Sequence, residues 1–465
     1  MLFFLFVKES VIYGVQIRKN SNTKAKRRLD SCEGIPYNLI CKRISVNFVG
    51  ELRFVMKKIN NPIFSLQNFI PDTEAHVFSD GKAYFYGSLD NRNDFWCSDK
   101  YKVFSSEKMD EVTDYGVSFQ LNAKKQPNQK YLYAPDCVEK DGVFYLYYCC
   151  DDGSEWVAQS DKPYGLFAKE TQIKGIFGID PAVFIDDDGA VYYYWGQLSL
   201  NGCRLKDNMS EIDADTVKTN LITQDEHFFH EGSSMRKRNG IYYLVFADVS
   251  RGYNEKYGGV PTCLGYCTST NPLGPFTYRG VIVDNALCDP MSWNNHGSIE
   301  CIDGQWYVFY HRSTGGNSYM RRACAEKIEF DENGLIKEVK MTSSGAADYL
   351  ENFEKGAEVF CEFHGSCFID ADVQGNTLTQ ISDGDRAVIR YVKLSFGDKI
   401  TAKFTGNGEI TLDFVCGQKT YSCKRLSIDN GTCVFETAYG GIGELIFKFG
   451  NPDGLKISEV KCEGQ

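Results

Sequence analysis

The sequence predicts an all-β protein, a five-bladed β-propeller followed by a β-sandwich. Three observations lead there. Five segments repeat one form: a strand bearing an acid or a histidine, a glycine turn, then an aromatic strand. Their turn glycines, Gly81, Gly142, Gly189, Gly240 and Gly304, recur at intervals of 61, 47, 51 and 64 residues, near the period of four-stranded blades. Composition agrees, since 14% aromatic residues and 43 Gly against 8 Met suit sheets with tight turns better than helical bundles.

Taken in order, the copies read DTEAHVFSDGKAYFYG (72–87), PDCVEKDGVFYLYYC (135–149), DPAVFIDDDGAVYYYWG (180–196), EGSSMRKRNGIYYLVFA (231–247) and HGSIECIDGQWYVFYH (296–311). Asp-Gly and Asn-Gly pairs accept the positive φ of a type I′ turn, so each copy reads as a hairpin. Alternating aromatics such as Tyr192 and Tyr194 suggest one buried face per strand. SDKPYGLF (160–167) and STNPLGPF (269–276) each follow an aromatic strand, as turns between outer strands would. Unrelated hairpins in a sandwich would be the alternative.

The ends differ from this repeat. Residues 1–55 hold ten basic residues against four acidic ones, in a chain whose net charge is −11. Their apolar opening, MLFFLFV, is too short for a secretory signal and lacks a basic stretch before it. They read as a non-native or disordered extension, with Met56 as the start of a propeller domain spanning 56–345 and a cytoplasmic location. From 346 to 465 short strands alternate with turns and no helical period is visible, which predicts the sandwich.

Charge and cysteine narrow the function. A chain of net charge −11 is a poor partner for nucleic acid, whose binding rests on clustered Lys and Arg. No run of about 18 apolar residues exists to span a membrane. Cysteine is abundant, 18 in all, but no CxxC pair is present and the spacings do not match zinc sites. Buried thiols are the expectation.

The polar residues of the repeat carry the chemistry. Asp72, Asp180 and Glu231 each lie nine residues before their turn glycine, and His296 lies eight before. Equivalent positions on the innermost strands of a radial fold converge on one axis. Three carboxylates meeting at one end of a channel suit glycoside hydrolysis, where one group protonates the leaving oxygen and another activates water. Repulsion and burial would keep one of them protonated near neutrality.

The ordered set IPDTEAHVF…YFYGSLD, IDPAVFIDDDG, HEGSSMRKRNGIYYLVFAD and NNHGSIE…WYVFYHR resembles glycoside hydrolase family 43, over about residues 60–345. The resemblance implies an inverting β-xylosidase or α-L-arabinofuranosidase acting on oligosaccharides, with an endo-arabinanase or a sugar-binding propeller as alternatives. It implies Asp72 as general base, Glu231 as general acid and Asp180 as the residue that tunes and orients the acid. Glu74, two residues along the same strand, is a second candidate base. His296 matches the family's channel histidine, which orders water or helps hold calcium; no cofactor is otherwise required. A final-blade arginine that contacts sugar would be Arg321 or Arg322, and alternation lets only one of them point inward. Trp96 and Trp293 are candidate stacking platforms, His76 and His230 are candidate sugar contacts, and Asp136 is a structural residue or a sugar-hydroxyl contact. GDRAVIRYVKLSFGDKITAKF is similar to carbohydrate-binding modules of family 6, but all five Trp lie at or before Trp306, so the Trp platform of such modules is missing. Tyr391 or another Tyr is a substitute to consider, and a structural domain that buttresses the propeller is an equal alternative.

Overall fold

A computed structural model describes residues 59–251, 261–288, 294–371, 375–423 and 425–464, with four strands upstream: Phe6–Val7, Ser10–Val11, Arg43–Val46 and Leu52–Lys57. Residues 1–42 form one unit, whose described part is the two-stranded ladder of Phe6–Val7 with Ser10–Val11. Residues 43–465 form the other.

Five antiparallel sheets make up the propeller. The first blade runs Glu74–Val77, Ala83–Tyr86, Lys100–Ser106 and Glu111–Gln120 from the axis outward, and the second runs Asp136–Lys140, Val143–Cys149, Ser154–Ser160 and Ala168–Phe177. The third is Ala182–Ile185, Val191–Trp195, Ser199–Leu205 and Ile212–Thr223. Phe229–Arg238, Ile241–Asp248, Cys263–Ser269 and Thr277–Asp284 form the fourth. The fifth has three strands, Ser298–Ile302, Gln305–Arg312 and Arg322–Lys327. Each innermost strand touches the innermost strands of both neighbouring blades, which closes a fivefold ring.

Closure joins the start of the propeller to its end. Ile63 donates its amide to the Ala323 carbonyl on the outer strand of blade five. Asn61 accepts from the Ala325 amide at 2.8 Å and donates to Glu326 and to the Thr342 carbonyl. The segment before blade one thus lies where a fourth strand of blade five would be. On the inner side Ser298 Oγ donates to the Thr73 carbonyl and accepts from the Ala75 amide.

Between neighbouring blades lie five hydrophobic layers, one for each pair around the ring. Both faces of a blade are therefore covered, which corrects the single buried face expected from alternation. Tyr193 and Tyr194, on opposite faces, are both fully buried. This double demand explains the aromatic content, because large rings fill the wedge between sheets that diverge from an axis. The two outer-strand turns have a further task. Tyr86 of blade one donates to the Pro163 carbonyl of blade two, and Tyr194 of blade three donates to the Pro272 carbonyl of blade four.

Three of the five hairpins, at Asp141-Gly142, Asn239-Gly240 and Asp303-Gly304, have two central residues of positive φ, as a type I′ turn requires. At Gly81 and Gly189 only the glycine does. These are three-residue loops closed by Phe78–Lys82 and Asp186–Ala190 bonds, which corrects the expectation of five identical turns. Upstream, Leu52–Lys57 pairs with the outer strand of blade one and Arg43–Val46 pairs with Leu52–Lys57. Part of the expected 1–55 extension is thus sheet.

The C-terminal part has nine strands, Glu354–Lys355, Glu362–His364, Phe368–Ala371, Asn376–Thr379, Arg386–Leu394, Lys399–Cys416, Lys419–Ser422, Leu426–Glu436 and Gly441–Glu463. Among the described residues they form one sheet rather than two. Its long strands Lys399–Cys416 and Gly441–Glu463 pair along most of their length, with register shifts at Lys403/Phe404 and Thr405/Asn407. Such bulges bend a strand, and the sheet curls over its own core into a nearly closed sandwich. Phe69, from the loop before blade one, is part of that core. Of the sixteen described cysteines all are free thiols and twelve are buried. No helix among the described residues is long and apolar enough to cross a membrane.

Arg322 ties the two domains together. Its guanidinium lies 4.3 Å from the Phe69 ring centroid and donates to Asn376 Oδ1 at 2.7 Å and to the Leu66 carbonyl at 3.1 Å. Replacing it by alanine leaves the buried Asn376 and the half-buried Leu66 carbonyl without this donor. Arg322→Ala is expected to destabilise the protein by about 2–4 kcal/mol, measured by urea denaturation. A loss near zero would show that the interface does not depend on this side chain.

Candidate active site

Asp72 and Asp180 stand at equivalent backbone positions, each with a left-handed φ (57° and 54°) two residues before the innermost strand of its blade. Aspartate tolerates this region better than most residues, and it turns the side chain toward the axis as the strand begins. Glu231 reaches the same end from blade four, inside the strand Phe229–Arg238 and beside a bulge at Gly232. His296 comes from blade five, just before Ser298. Its Nδ1 is 3.8 Å from Asp72 Oδ1 and 3.8 Å from Asp180 Oδ2. The register read from the sequence therefore brings four blades to one place.

Gly232 explains the glycine of the Glu-Gly pair. A Cβ there would sit 2.7 Å from three atoms of the His296 ring, and its φ of 59° is left-handed. The imidazole packs directly on that bare backbone, with Asp72 and Asp180 close to its other side.

The carboxyls differ in environment. Burial, the largest influence, works against a charge on Asp72, but the Arg321 guanidinium, with Nη1 donating to Oδ1 at 3.1 Å, together with His296, His311 and Ser88 holds the carboxyl below its usual range. The Asp72 amide donates to His311 Nδ1 at 3.4 Å, and His311 Nε2 faces Asn294 Oδ1 at 2.7 Å. Burial, then Arg321, lowers His311 to about 3, so it is neutral. Asp180 goes the other way: burial, then the charges of Glu231 and Asp72, push it well above the usual range. His296 is lowered by burial, so this ring too favours the neutral form. Glu231 is the most accessible of the three carboxyls, its side chain 19% exposed against 7% for both aspartates. Its Oε2 accepts from Gln197 Nε2 at 2.7 Å. One end of the channel thus holds an ionised carboxylate, a carboxyl kept neutral, and a third that opens to the mouth.

A second cluster lines the channel further along the same strands. Arg236 Nη2 donates to Glu74 Oε1 at 2.7 Å, its Nε to Glu300 Oε2 at 2.9 Å, and its Nη1 to the Met235 carbonyl. Glu74 also accepts from Ser234 Oγ, yet burial still raises it to about 7. His76 Nε2 is 2.6 Å from Asp136 Oδ1, and Asp136 accepts from the amides of Cys137 and Val183. Burial lowers His76 to about 4 and raises Asp136 to about 7.

This placement changes three expectations. Glu74 is not an alternative base at the mouth, because Arg236 and Ser234 engage its carboxylate inside the channel. Asp136 is not a sugar contact: its oxygens are occupied by two backbone amides and an imidazole, linking blades one, two and three. His76 faces Asp136 rather than open space. Ligand atoms of Glu74, His76 and Asp136 lie within 4.8 Å of one another, but the Arg236 guanidinium already stands where a cation would. Around His296 the described side chains offer one ring nitrogen and two carboxylates, one of them bonded to Arg321. Calcium takes six to eight oxygens, waters among them, so these residues by themselves would supply only part of its shell.

The two arginines resolve by parity. Arg321, 4% exposed, points to the axis, bidentate to Asp90 (2.9 and 3.0 Å) and bonded to Asp72. Arg322 points away, into the domain interface, and is not a site residue. Arg321 is committed to two aspartates, so it positions Asp72 where a sugar contact was expected. Trp96 is half-buried on the loop held by the bond from the Cys97 amide to Asp90; its Nε1 donates to the Ser318 carbonyl and its ring meets Tyr319 edge-on at 5.0 Å. His230 Nε2 lies 4.0 Å from Glu231 Oε2. Trp293 falls outside the described residues. Sequence reasoning missed Asp90, Gln197, Arg236 and His311. Arg236 was hidden by the bulge at Gly232, which shifts the parity of the strand so that Ser234 and Arg236 face the axis.

Comparisons with known proteins agree with this geometry. Residues 59–336, more than half of the chain, match the model of glycosyl hydrolases family 43. A xylosidase/arabinosidase of Thermoclostridium stercorarium is 33% identical over 62% of this chain and 68% of its own length. Xylosidase/arabinosidase 43A of Humicola insolens is 32% identical, over 58% and 96%. A β-xylosidase/α-arabinofuranosidase from a compost microbial metagenome, solved with xylotriose in a calcium-free form, is 30% identical with a TM-score of 0.53, over 62% of this chain and 98% of that one. An arabinoxylan arabinofuranohydrolase of Bacillus subtilis, 21% identical, has a similar fold over 88% of this chain and 99% of its own, with a TM-score of 0.53.

Gly232→Ala is expected to push the His296 ring out of its place between the two aspartates. Misplacement by about 1 Å can cost on the order of a hundredfold, so hydrolysis of aryl pentosides should fall by about that factor while the melting temperature stays within a few degrees. Unchanged turnover would show that the ring's position is unimportant.

Proposed function

Because the chain belongs to glycosyl hydrolases family 43, we propose that Asp72 and Glu231 act as the base and the acid with which it cleaves its substrate. The protein is a glycosidase that releases pentose, xylose or L-arabinofuranose, with the inversion typical of the family. The roles rest on one observation: of three converging carboxyls, Asp72 is buried and bonded to the Arg321 guanidinium, while Glu231 is the one that opens to the mouth.

A water placed between Asp72 and the anomeric carbon gives one proton to the carboxylate as its oxygen forms the new bond. At the same time the bond from that carbon to the leaving oxygen breaks, and the leaving oxygen takes the proton of Glu231. The electron pair of the broken bond stays on the leaving oxygen, which departs as an alcohol. Asp180 is buried close to Glu231, so the two carboxyls act on each other across a short distance. Glu231 is the member that reaches the mouth and can deliver a proton there. No step needs a metal.

Trp96, half-buried with Tyr319 against it on the loop tied to Asp90, offers an aromatic face for a sugar ring, and His230 flanks the acid. The xylotriose bound by the metagenomic relative supports short xylo-oligosaccharides as substrates. For the C-terminal domain we favour a buttressing role. Arg322 and Phe69 join it to the propeller, and Arg390 donates to the Met341 carbonyl at 2.6 Å. Tyr391, 44% exposed at a bulge, is part of no aromatic platform among the described contacts.

A panel of nitrophenyl glycosides, with proton NMR of the first-formed sugar, tests the reaction: a pentoside should be hydrolysed with inverted configuration, and retention would overturn the single displacement. Asp72→Ala and Glu231→Ala should each lower turnover of a disaccharide by about 10²–10⁴-fold; activity within a factor of two in either variant would remove its role. Arg321→Met takes away the cation that keeps Asp72 ionised. The acid limb of the kcat/KM profile, where the base must be deprotonated, should therefore move to higher pH. No movement would detach Asp72 from that limb.

A further inference from the structure

The geometry points to Gln197 as a positioning residue for the acid, selecting which oxygen of Glu231 carries the transferred proton. This rests on Glu231 being the acid. Gln197 lies in the tight loop Gly196, Gln197, Leu198 between the second and third strands of blade three, and that loop is fixed on both sides of the site. The Gly196 amide donates to the Ile179 carbonyl, adjacent to Asp180, at 3.2 Å. The Leu198 amide donates to the His230 carbonyl, adjacent to Glu231, at 2.6 Å. The Leu198 carbonyl accepts from the Gln224 amide at 2.9 Å, and the Gln224 side chain faces His230 Nδ1 at 3.3 Å.

The loop can only be this shape with glycine first. Gly196 has a φ of 135°, and a Cβ there would lie 2.3 Å from the Ser199 carbonyl oxygen. Leu198 is also left-handed, at 62°, and half exposed. A strained loop clipped to the residue before each of two catalytic carboxyls has one polar side chain to present, and it donates to Glu231 Oε2 at 2.7 Å. The His230 ring, at 4.0 Å, is too far to compete for that oxygen.

An oxygen that accepts an N–H cannot also hold its proton along that direction. With Oε2 taken, the acidic proton belongs on Oε1, and the carboxyl plane is fixed by the bond. Gln197 also lines a cleft of about 700 Å³ between blades two and three, with Tyr133, Phe177, Asn201 and Asn220. The side chain that orients the acid thus also borders open space.

Leaving-group dependence tests this. Gln197→Met keeps the length of the side chain and removes the donor. Hydrolysis of xylobiose, whose leaving sugar needs full protonation, should fall about ten- to a hundredfold. Hydrolysis of 2,4-dinitrophenyl β-xyloside, whose leaving group needs little, should fall far less. Equal losses on both substrates, or none, would overturn the inference by reducing Gln197 to a part of the loop's shape. Gln197→Ala should reproduce the selective loss. Glu231→Gln, measured in parallel, must itself lose the disaccharide and keep most of the activated substrate. If it hydrolyses xylobiose like the parent, the acid assignment falls, and the role of Gln197 with it.

Discussion

A carboxylate buried at the neck of a protein channel stays charged only if a cation is fixed beside it, and here that cation is Arg321. Its guanidinium is carried by blade five and meets Asp72 of blade one across the seam where the ring closes. The pairing therefore exists only because the propeller is closed, by Asn61 and Ile63 on the outside and by Ser298 on the inside. Asp90 takes two of the guanidinium's donors and accepts from the Arg321 amide, so the fork has one orientation. Asp72 is thus ionised and aimed by the same contact that completes the fold.

Deeper in the channel the same solution recurs. Arg236 stands between Glu74 and Glu300, as Arg321 stands between Asp72 and Asp90. Burying a charge without a partner is costly, and breaking such a pair costs more than the pair contributes. Two guanidiniums, each shared by two acids, let the channel wall be polar without being unpaired. Among the described contacts Asp180 has no arginine bonded to it, and burial, with the charges of Glu231 and Asp72, pushes it toward its neutral form although Arg321 acts against this. The asymmetry between the two aspartates follows from which of them an arginine is bonded to.

Much of this was legible in the sequence because a propeller repeats in one dimension. The distance from Asp72, Asp180 and Glu231 to their turn glycines is a register, and register survives as a count along the chain. Partners across the channel leave no such count. Glu74 and His76 share a face with Asp72 by alternation, but nothing in the spacing tells that Arg236 will neutralise the first or that Asp136 will bind the second. The bulge at Gly232 flips the parity of blade four, and a bulge is visible only once two strands are paired. Type I′ turns were overcounted for a related reason: Asp-Gly fits both a two-residue and a three-residue loop, and the pairing of Phe78 with Lys82 decides between them.

Arg321 and Arg322 carry this logic furthest. Adjacent residues at the start of a strand face opposite ways, so one guanidinium enters the channel and the next enters the interface with the C-terminal domain. Both are buried and both are bonded to groups from other parts of the chain, Asp72 and Asp90 on one side, Asn376 and Leu66 on the other. The strand between them can shift toward neither side without stretching bonds on the opposite one. Through these two side chains the packing of the C-terminal sheet against Phe69 restrains the height at which Arg321 meets Asp72. A domain with no tryptophan platform thereby has a physical reason to be attached to the propeller: it holds from outside the strand on which the charge of Asp72 depends.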